Sequence, residues 1–233
     1  MRQPAVTAPT ASESSARPAR IGSMFTGMGG LDMAVREVFG GQTMWVADIE
    51  PGPSKVLEYR FPGIPNLGDV TTVDWALVPP VDILCGSSPC TSLSQAGRRA
   101  GMVEGTPSNL WVCMRDAIAQ IQPELVVWEN VYGALSAKAS SRVEPCTGCV
   151  GNQPAESSLR ALGRVLGDLA ALGFDAAWTT VRAAEVGAPP RAVQSVPCCC
   201  QHPTRCPTPR TRAATKMVAR PDWATRYVPW RAI

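Results

Sequence analysis

The segment Arg20-Ile-Gly-Ser-Met-Phe25-Thr-Gly-Met-Gly-Gly30-Leu-Asp-Met-Ala-Val-Arg-Glu-Val-Phe39 reads as strand, turn and helix. Ile21 to Phe25 is the short apolar run a buried strand needs, and Leu31 to Phe39 repeats apolar residues at helical spacing. Between them lies Thr26-Gly-Met-Gly-Gly30. Glycines at that point let the backbone approach a ligand closely before a helix begins. The spacing is not the G-x-G-x-x-G of dinucleotide sites, and many nucleotide sites and plain tight turns look alike, so the turn alone names no ligand.

The alternation continues downstream. Thr43 to Ala47 reads as a second strand ending at Asp48-Ile-Glu50, and Pro51 suits the start of a helix over 53–60. Val81 to Cys85 is a strand, Ser108 to Ile121 has helical spacing, and Glu124 to Trp128 is a strand. Ser157 to Leu172 reads as a helix with Leu159, Leu162, Val165, Leu166 and Leu169 on its apolar face, and Asp175 to Val181 as a last strand. Strands alternating with helices predict an α/β fold with a parallel, doubly wound, Rossmann-like sheet, whose ligands sit beyond the carboxyl ends of the strands.

The residues with chemistry fall at those ends. Glu50 follows the second strand, where an acid can accept from both hydroxyls of a ribose; a solvated acid at a strand end is equally ordinary. Gly68-Asp69-Val70 offers an acid that can accept from an exocyclic amine. Asp82-Ile-Leu-Cys-Gly-Ser-Ser-Pro-Cys90 runs a strand into a small-residue turn, with Pro89 rigidly presenting Cys90. A thiolate is a strong nucleophile. A lone cysteine is more often a small buried hydrophobe, a role better suited to Cys85 within the strand. Val126-Val-Trp-Glu-Asn-Val131 carries a strand into Glu129 and Asn130, and a partly buried acid there can donate a proton.

Taken in this order, Phe-x-Gly-x-Gly-Gly at 25–30, Glu50, Asp69, Pro89-Cys90 and Glu129-Asn130-Val131, residues 20–191 resemble the C5-cytosine DNA methyltransferase family. The resemblance implies a Rossmann-like sheet binding S-adenosyl-L-methionine, with Phe25, Gly27, Gly29, Gly30, Leu31, Glu50, Asp69 and Leu110 lining the cofactor pocket. It implies that Cys90 attacks C6 of a cytosine flipped out of double-stranded DNA, since C6 is unreachable inside the duplex. Glu129 would protonate N3, Asn130 would brace the loop bearing Pro89 and Cys90, and Arg98, Arg99 and Arg191 would meet DNA. RNA cytosine methyltransferases share these motifs, so an RNA substrate stays open, as does an inactive remnant that only binds the cofactor.

Two departures stand out. Pro107 precedes Ser108 where the family usually has Arg, and after Val186-Gly-Ala-Pro-Pro-Arg191 the expected Arg-x-Arg strand gives way to Pro/Arg/Cys-rich sequence. That change is what a frameshift near codon 190 of a GC-rich gene produces; an enzyme completed by a second polypeptide that reads the target is the variant. The organisation expected is a disordered leader (1–20), a catalytic core (21–190) with an insertion at 134–156, and an irregular tail (191–233) with no final core helix.

Charge follows the same division. The net charge of +3 comprises +2 in residues 1–20, −6 in 21–190 and +7 in 191–233. An acidic core argues mildly against strong phosphate binding by the core alone. Nine cysteines, six of them clustered at 146–149 and 198–206, do not form the pattern of a secreted disulfide scaffold, so a reducing cytoplasm is expected. Cys146-Thr-Gly-Cys149 is half of a zinc site at most, His202 is the single histidine, and no metal is expected. No apolar run approaches the roughly 18–20 residues of a membrane span.

Overall fold

The computed structural model describes residues 17–91, 93, 101–104, 106–139, 159–187 and 194–201. Strand β1 (Arg20–Met24) leads through the glycine turn into α1 (Gly30–Phe39), then β2 (Gln42–Trp45), α2 (Pro51–Arg60), β3 (Ile83–Gly86), α3 (Trp111–Ile121) and β4 (Leu125–Val131). A short pair, β5 (Lys138–Ala139) and β6 (Leu159–Arg160), precedes α4 (Ala161–Ala171), and β7 (Asp175–Trp178), β8 (Val181–Arg182) and β9 (Gln194–Gln201) follow. Local chemistry sets the helix ends. Asp32 in the first turn of α1 and Arg36 in its last complement the helix dipole, and left-handed Gly40 donates its N–H to the Arg36 carbonyl. Pro51 opens α2, where a helix has no use for an N–H.

The sheet runs β2-β1-β3-β4-β9-β7, with β8 also on β9. β1 is parallel to β2 and β3, and β3 is parallel to β4; β9 is antiparallel to β4, β7 and β8. Chain direction across the sheet therefore reverses at β1, which opens a crevice between the carboxyl ends of β1 and β3. Alternation along the strands gives the sheet two apolar faces. Ile21, Ile83, Cys85, Leu125 and Val127 cluster with Val35 of α1. Met24, Leu84, Val126 and Trp128 cluster with Trp111, Met114 and Ile118 of α3 and Leu162, Val165 and Leu169 of α4. Among the described residues no helix is long and apolar enough to cross a membrane.

Several boundaries differ from the sequence reading. Residues 17–20, expected within the leader, are tied to the fold: Arg20 is in β1, and the Arg17 guanidinium makes two bonds to the Asp82 carboxylate at 2.6 and 2.8 Å; residues 1–16 lie outside the described residues. Residues 134–139, expected within an insertion, belong to the fold: Ala134 and Ala139 are buried and β5 pairs with β6; residues 140–158, with Cys146 and Cys149, lie outside the described residues. The helix expected from Ser157 starts at Ala161, since Leu159 and Arg160 are held in that pairing. The last strand is broken between Trp178 and Val181 into β7 and β8.

The largest correction is in the tail. Residues 194–201, read as irregular, form an eight-residue strand inside the sheet. Helical or alternating periodicity was the wrong signal to seek in Gln-Ser-Val-Pro-Cys-Cys-Cys-Gln: a strand paired on both edges needs neither. Proline cannot donate to a ladder, and Pro197 falls between the two blocks of pairing on one side, 198–201 with β7 and 194–195 with β8, where that ladder is already interrupted. Arg191, His202 and Cys206 lie outside the described residues.

Candidate active site

The crevice between β1 and β3 holds a cleft of about 260 Å³ lined by Ser23, Met24, Phe25, Thr26, Gly27, Leu31, Asp32, Gly86, Ser87 and Glu129. The turn forming one wall is fastened to β2. The Thr26 N–H donates to the Ala47 carbonyl at 3.1 Å, the Thr26 hydroxyl accepts from the Ala47 N–H at 3.1 Å, and the Gly27 N–H donates to the Asp48 carboxylate at 2.7 Å. The same carboxylate accepts from the Glu50 N–H at 2.9 Å, so Asp48 ties the turn to the start of α2. Gly29 is left-handed (φ 80°), and a Cβ there would stand 2.6 Å from the Phe61 ring. Glycine is required at that position by backbone and by space.

The opposite wall is the end of β4. Successive residues of a strand face opposite ways, and here the alternation divides the labour. Trp128 and Asn130 share one face. The Trp128 indole donates to the Ser88 hydroxyl at 3.1 Å, and the Asn130 amide donates to the Ser88 carbonyl at 2.9 Å and hydroxyl at 3.3 Å. Asn130 is 1% exposed and Ser88 equally buried, so these bonds are made away from water. Glu129, between them, lines the cleft and accepts from the Ser87 hydroxyl at 2.7 Å. Two adjacent serines thus lock the turn after β3 to the end of β4, and Pro89 and Cys90 follow at once. Cys90 is a half-buried free thiol whose carbonyl accepts from the Leu93 N–H at 2.9 Å.

Phe25, Gly27, Leu31 and Glu129 are brought to one cleft; Gly29, Gly30, Glu50, Asp69 and Leu110 are not among its walls, nor are Pro89, Cys90 and Asn130. Glu50 is exposed beside Asp48. Asp69 is exposed, and two bonds from Thr71, N–H at 2.9 Å and hydroxyl at 2.7 Å, hold its carboxyl below the usual range. Leu110 closes a short 3-10 turn before α3, and its neighbours Asn109 and Trp111 are bonded to α4. Arg164, nearly buried, donates to Asn109 at 2.9 Å and to the Met102 carbonyl at 3.1 Å, and Asp168 accepts from the Trp111 indole at 2.8 Å. Arg98 and Arg99 lie outside the described residues. Among the described residues no group of three His, Cys, Asp or Glu side chains could hold a metal ion.

Sequence reasoning passed over Ser87, Ser88, Asp48 and Asp32. The first two sit inside the quoted turn, and small polar residues between a strand and a nucleophile were the available signal.

Comparison with known proteins places this geometry. The family model described as C-5 cytosine-specific DNA methylase matches residues 19–191. A DNA N-6-adenine-methyltransferase of Escherichia phage P1 is 35% identical over 113 residues, 43% of this chain and 15% of that protein. The type II methyltransferase M.NlaIV of Neisseria lactamica is 26% identical over 71% of this chain and 37% of its own length. The chain therefore spans well under half of these curated relatives. The crystal structure of S. pombe Dnmt2 methyltransferase superposes with a TM-score of 0.57 at 14% identity, covering 79% of this chain and 50% of that one, a likeness of fold. Since the family match extends over well more than half of its residues, the chain belongs to the C-5 cytosine-specific DNA methylase family.

Proposed function

We propose that the protein transfers a methyl group from S-adenosylmethionine to C5 of cytosine in double-stranded DNA, in the cytoplasm, with Cys90 as nucleophile and Glu129 as its acid. The observation that carries the reading is the serine-locked turn: Ser87 and Ser88 join the Cys90 loop to the strand end bearing Glu129. The residues also fit the cofactor. Gly27 lines the cleft at a left-handed φ of 55°, and a Cβ there would project into open space, so the glycine leaves room for a ligand against the turn. At about 260 Å³ the cleft lies just below the roughly 300–1,000 Å³ of small-ligand pockets, enough for one end of the cofactor. Phe25, Gly27, Gly29, Gly30 and Leu31 would hold the cofactor there, with Glu50 toward its ribose, Asp69 toward its adenine and Leu110 against the base. The bound cofactor supplies an electrophilic methyl group.

The chain's own residues supply the rest. The Cys90 thiolate adds to C6 of a base turned out of the stack, forming an S–C6 bond. Glu129 delivers its proton to N3 as that bond forms, which leaves electron density on C5 able to accept the methyl group. Water then takes the C5 proton as the S–C6 bond breaks and the Cys90 thiolate leaves, N3 returns its proton to Glu129, and the ring is restored. Asn130 and Pro89 position the thiol. Arg98, Arg99 and Arg191 would meet the DNA backbone, and a second polypeptide could supply target recognition.

Duplex DNA carrying 5-fluorocytosine tests this, because fluorine at C5 cannot leave as a proton and the adduct is trapped. A covalent complex is expected with the full chain and labelled cofactor, and none with Cys90→Ser. Digestion of methylated DNA should yield 5-methylcytosine; N6-methyladenine, the product named for the phage P1 relative, would refute the assignment. Equal labelling of RNA would move the substrate to RNA, and cofactor binding without any product would leave the inactive remnant.

A further inference from the structure

The turn that carries Leu110 is fastened to α4 on both sides of that residue. Before it, the Asn109 Oδ1 accepts from the Arg164 guanidinium at 2.9 Å; after it, the Trp111 indole donates to the Asp168 carboxylate at 2.8 Å. Arg164 and Asp168 stand one helical turn apart and pair with each other at 3.7 Å. The guanidinium nitrogen that meets Asn109 also donates to the Met102 carbonyl at 3.1 Å. Met102 is itself a fixed point: it is fully buried, and its N–H donates to the Lys138 carbonyl of β5 at 2.8 Å. Arg164 thus joins Met102, Asn109 and Asp168 from a place where its side chain is only 10% exposed. A charge so nearly enclosed persists only where partners meet it. The reaction proposed above gives Arg164 no part. The family usually has an arginine before Ser108, where this chain has Pro107, a residue with no side-chain donor. The guanidinium that reaches this turn comes instead from α4, 55 positions along the chain from Asn109.

We propose that Arg164 is a positioning residue for the cofactor, acting through Asn109 to hold Leu110 against the adenine base. The inference rests on the function proposed above, which sets Leu110 against that base. A leucine recognises a flat apolar surface by contact alone, and contact attraction falls off within an ångström. Leu110 is only partly buried, so its place depends on the backbone that carries it. That backbone is a four-residue 3-10 turn, Pro107–Leu110, with no side-chain cap, and hydrogen bonds in such turns are poorer than those of an α-helix. The bonds from α4 supply the hold that the turn lacks. The Arg164 bond also ties the turn to Met102, which β5 keeps in place.

Calorimetric titration with S-adenosylhomocysteine, which carries the same adenine, tests the coupling in the full chain, in Arg164→Met, in Leu110→Ala and in the double variant. Methionine keeps the apolar stem and loses the donors. Each single change is expected to weaken binding roughly tenfold. The double change should also cost roughly tenfold, because a contact already lost cannot be lost twice. A double variant about a hundredfold weaker, the product of independent effects, overturns the coupling. So does either single variant binding as tightly as wild type; an Arg164 of purely structural use would give that result, with a lower unfolding free energy and an unchanged affinity. Should the methionine variant fail to fold, Arg164→Lys takes its place in the cycle. Its single nitrogen has to serve three partners, and binding roughly threefold weaker is expected, with no further loss in the Leu110→Ala background. A loss that persists in that background overturns the proposal. Each of these refutations leaves the proposed function standing, whereas failure of the wild-type chain to bind S-adenosylhomocysteine at all overturns both.

Discussion

Replacing Asn130 by alanine should loosen the loop that carries Cys90. Asn130 is 1% exposed, donates to the Ser88 carbonyl at 2.9 Å and hydroxyl at 3.3 Å, and accepts from the Val131 N–H at 2.9 Å. Water does not reach the Ser88 side of this arrangement. Alanine leaves a buried carbonyl without its donor, which costs about 1–3 kcal/mol, and removes side-chain volume from a packed site; Val131 is partly exposed, so water can serve its N–H. A total near 2–3 kcal/mol is expected, measured as the shift in urea unfolding free energy. If the same bonds hold the Cys90 loop in its reactive position, the rate of adduct formation with 5-fluorocytosine DNA should fall roughly 30- to 150-fold, the same free energy expressed at the transition state. Asn130→Asp separates the bond from the volume. It keeps the size and the acceptor for Val131 but loses the amide donor, and should be at least as damaging. An aspartate variant matching wild type in both unfolding and adduct rate would falsify the bracing role.

Three further outcomes follow from the geometry. Gly29→Ala places a Cβ 2.6 Å from the Phe61 ring at a left-handed φ of 80°, and should lower unfolding free energy by about 2–4 kcal/mol, the sum of αL and overpacking costs, while weakening cofactor binding in titration. Asp168→Ala strips the Trp111 indole of its acceptor and Arg164 of its ion-pair partner at 3.7 Å, and should cost about 2–3 kcal/mol in the same unfolding assay. Bonds from Arg17 and Arg20 hold the Asp82 carboxyl far below the usual carboxylate range against the opposing effect of its own burial. Because the folded pKa is depressed, this contribution is fully present above the unfolded pKa of about 3.9 and is lost as pH falls below it. Asp82→Asn should therefore be less stable than wild type at pH 7, with the gap starting to narrow only below about pH 4 and most of it still present at pH 3 in paired urea titrations.

Much of this arrangement was legible in the sequence because it rests on local rules. The β1–α1 unit follows from an apolar run, glycines and helical spacing, and all three act over a few residues. The end of β4 was legible as Val-Val-Trp-Glu-Asn, although the strand continues through Val131. What escaped was non-local. The bonds from Trp128 and Asn130 to Ser88 join residues 40 and 42 positions apart, and no pattern in either segment announces the other. The ion pair of Arg17 with Asp82 spans 65 positions, which is why residues 17–20 read as part of a leader. β9 escaped for a different reason: a strand hydrogen-bonded on both edges is specified by its neighbours more than by its own alternation.

That strand has a consequence for the order in which the site is built. β3 supports β4 only as far as Trp128; beyond it, Glu129, Asn130 and Val131 have their sheet partners, among the described residues, in Pro197, Val196 and Ser195 of β9. The acid and its bracing amide thus sit on a strand end whose sheet neighbours are translated more than sixty residues later. Closing so long a loop is slow relative to local helix formation. The glycine turn and α1 can form while the chain is still emerging, whereas the strand end carrying Glu129 gains its sheet neighbour only when β9 arrives.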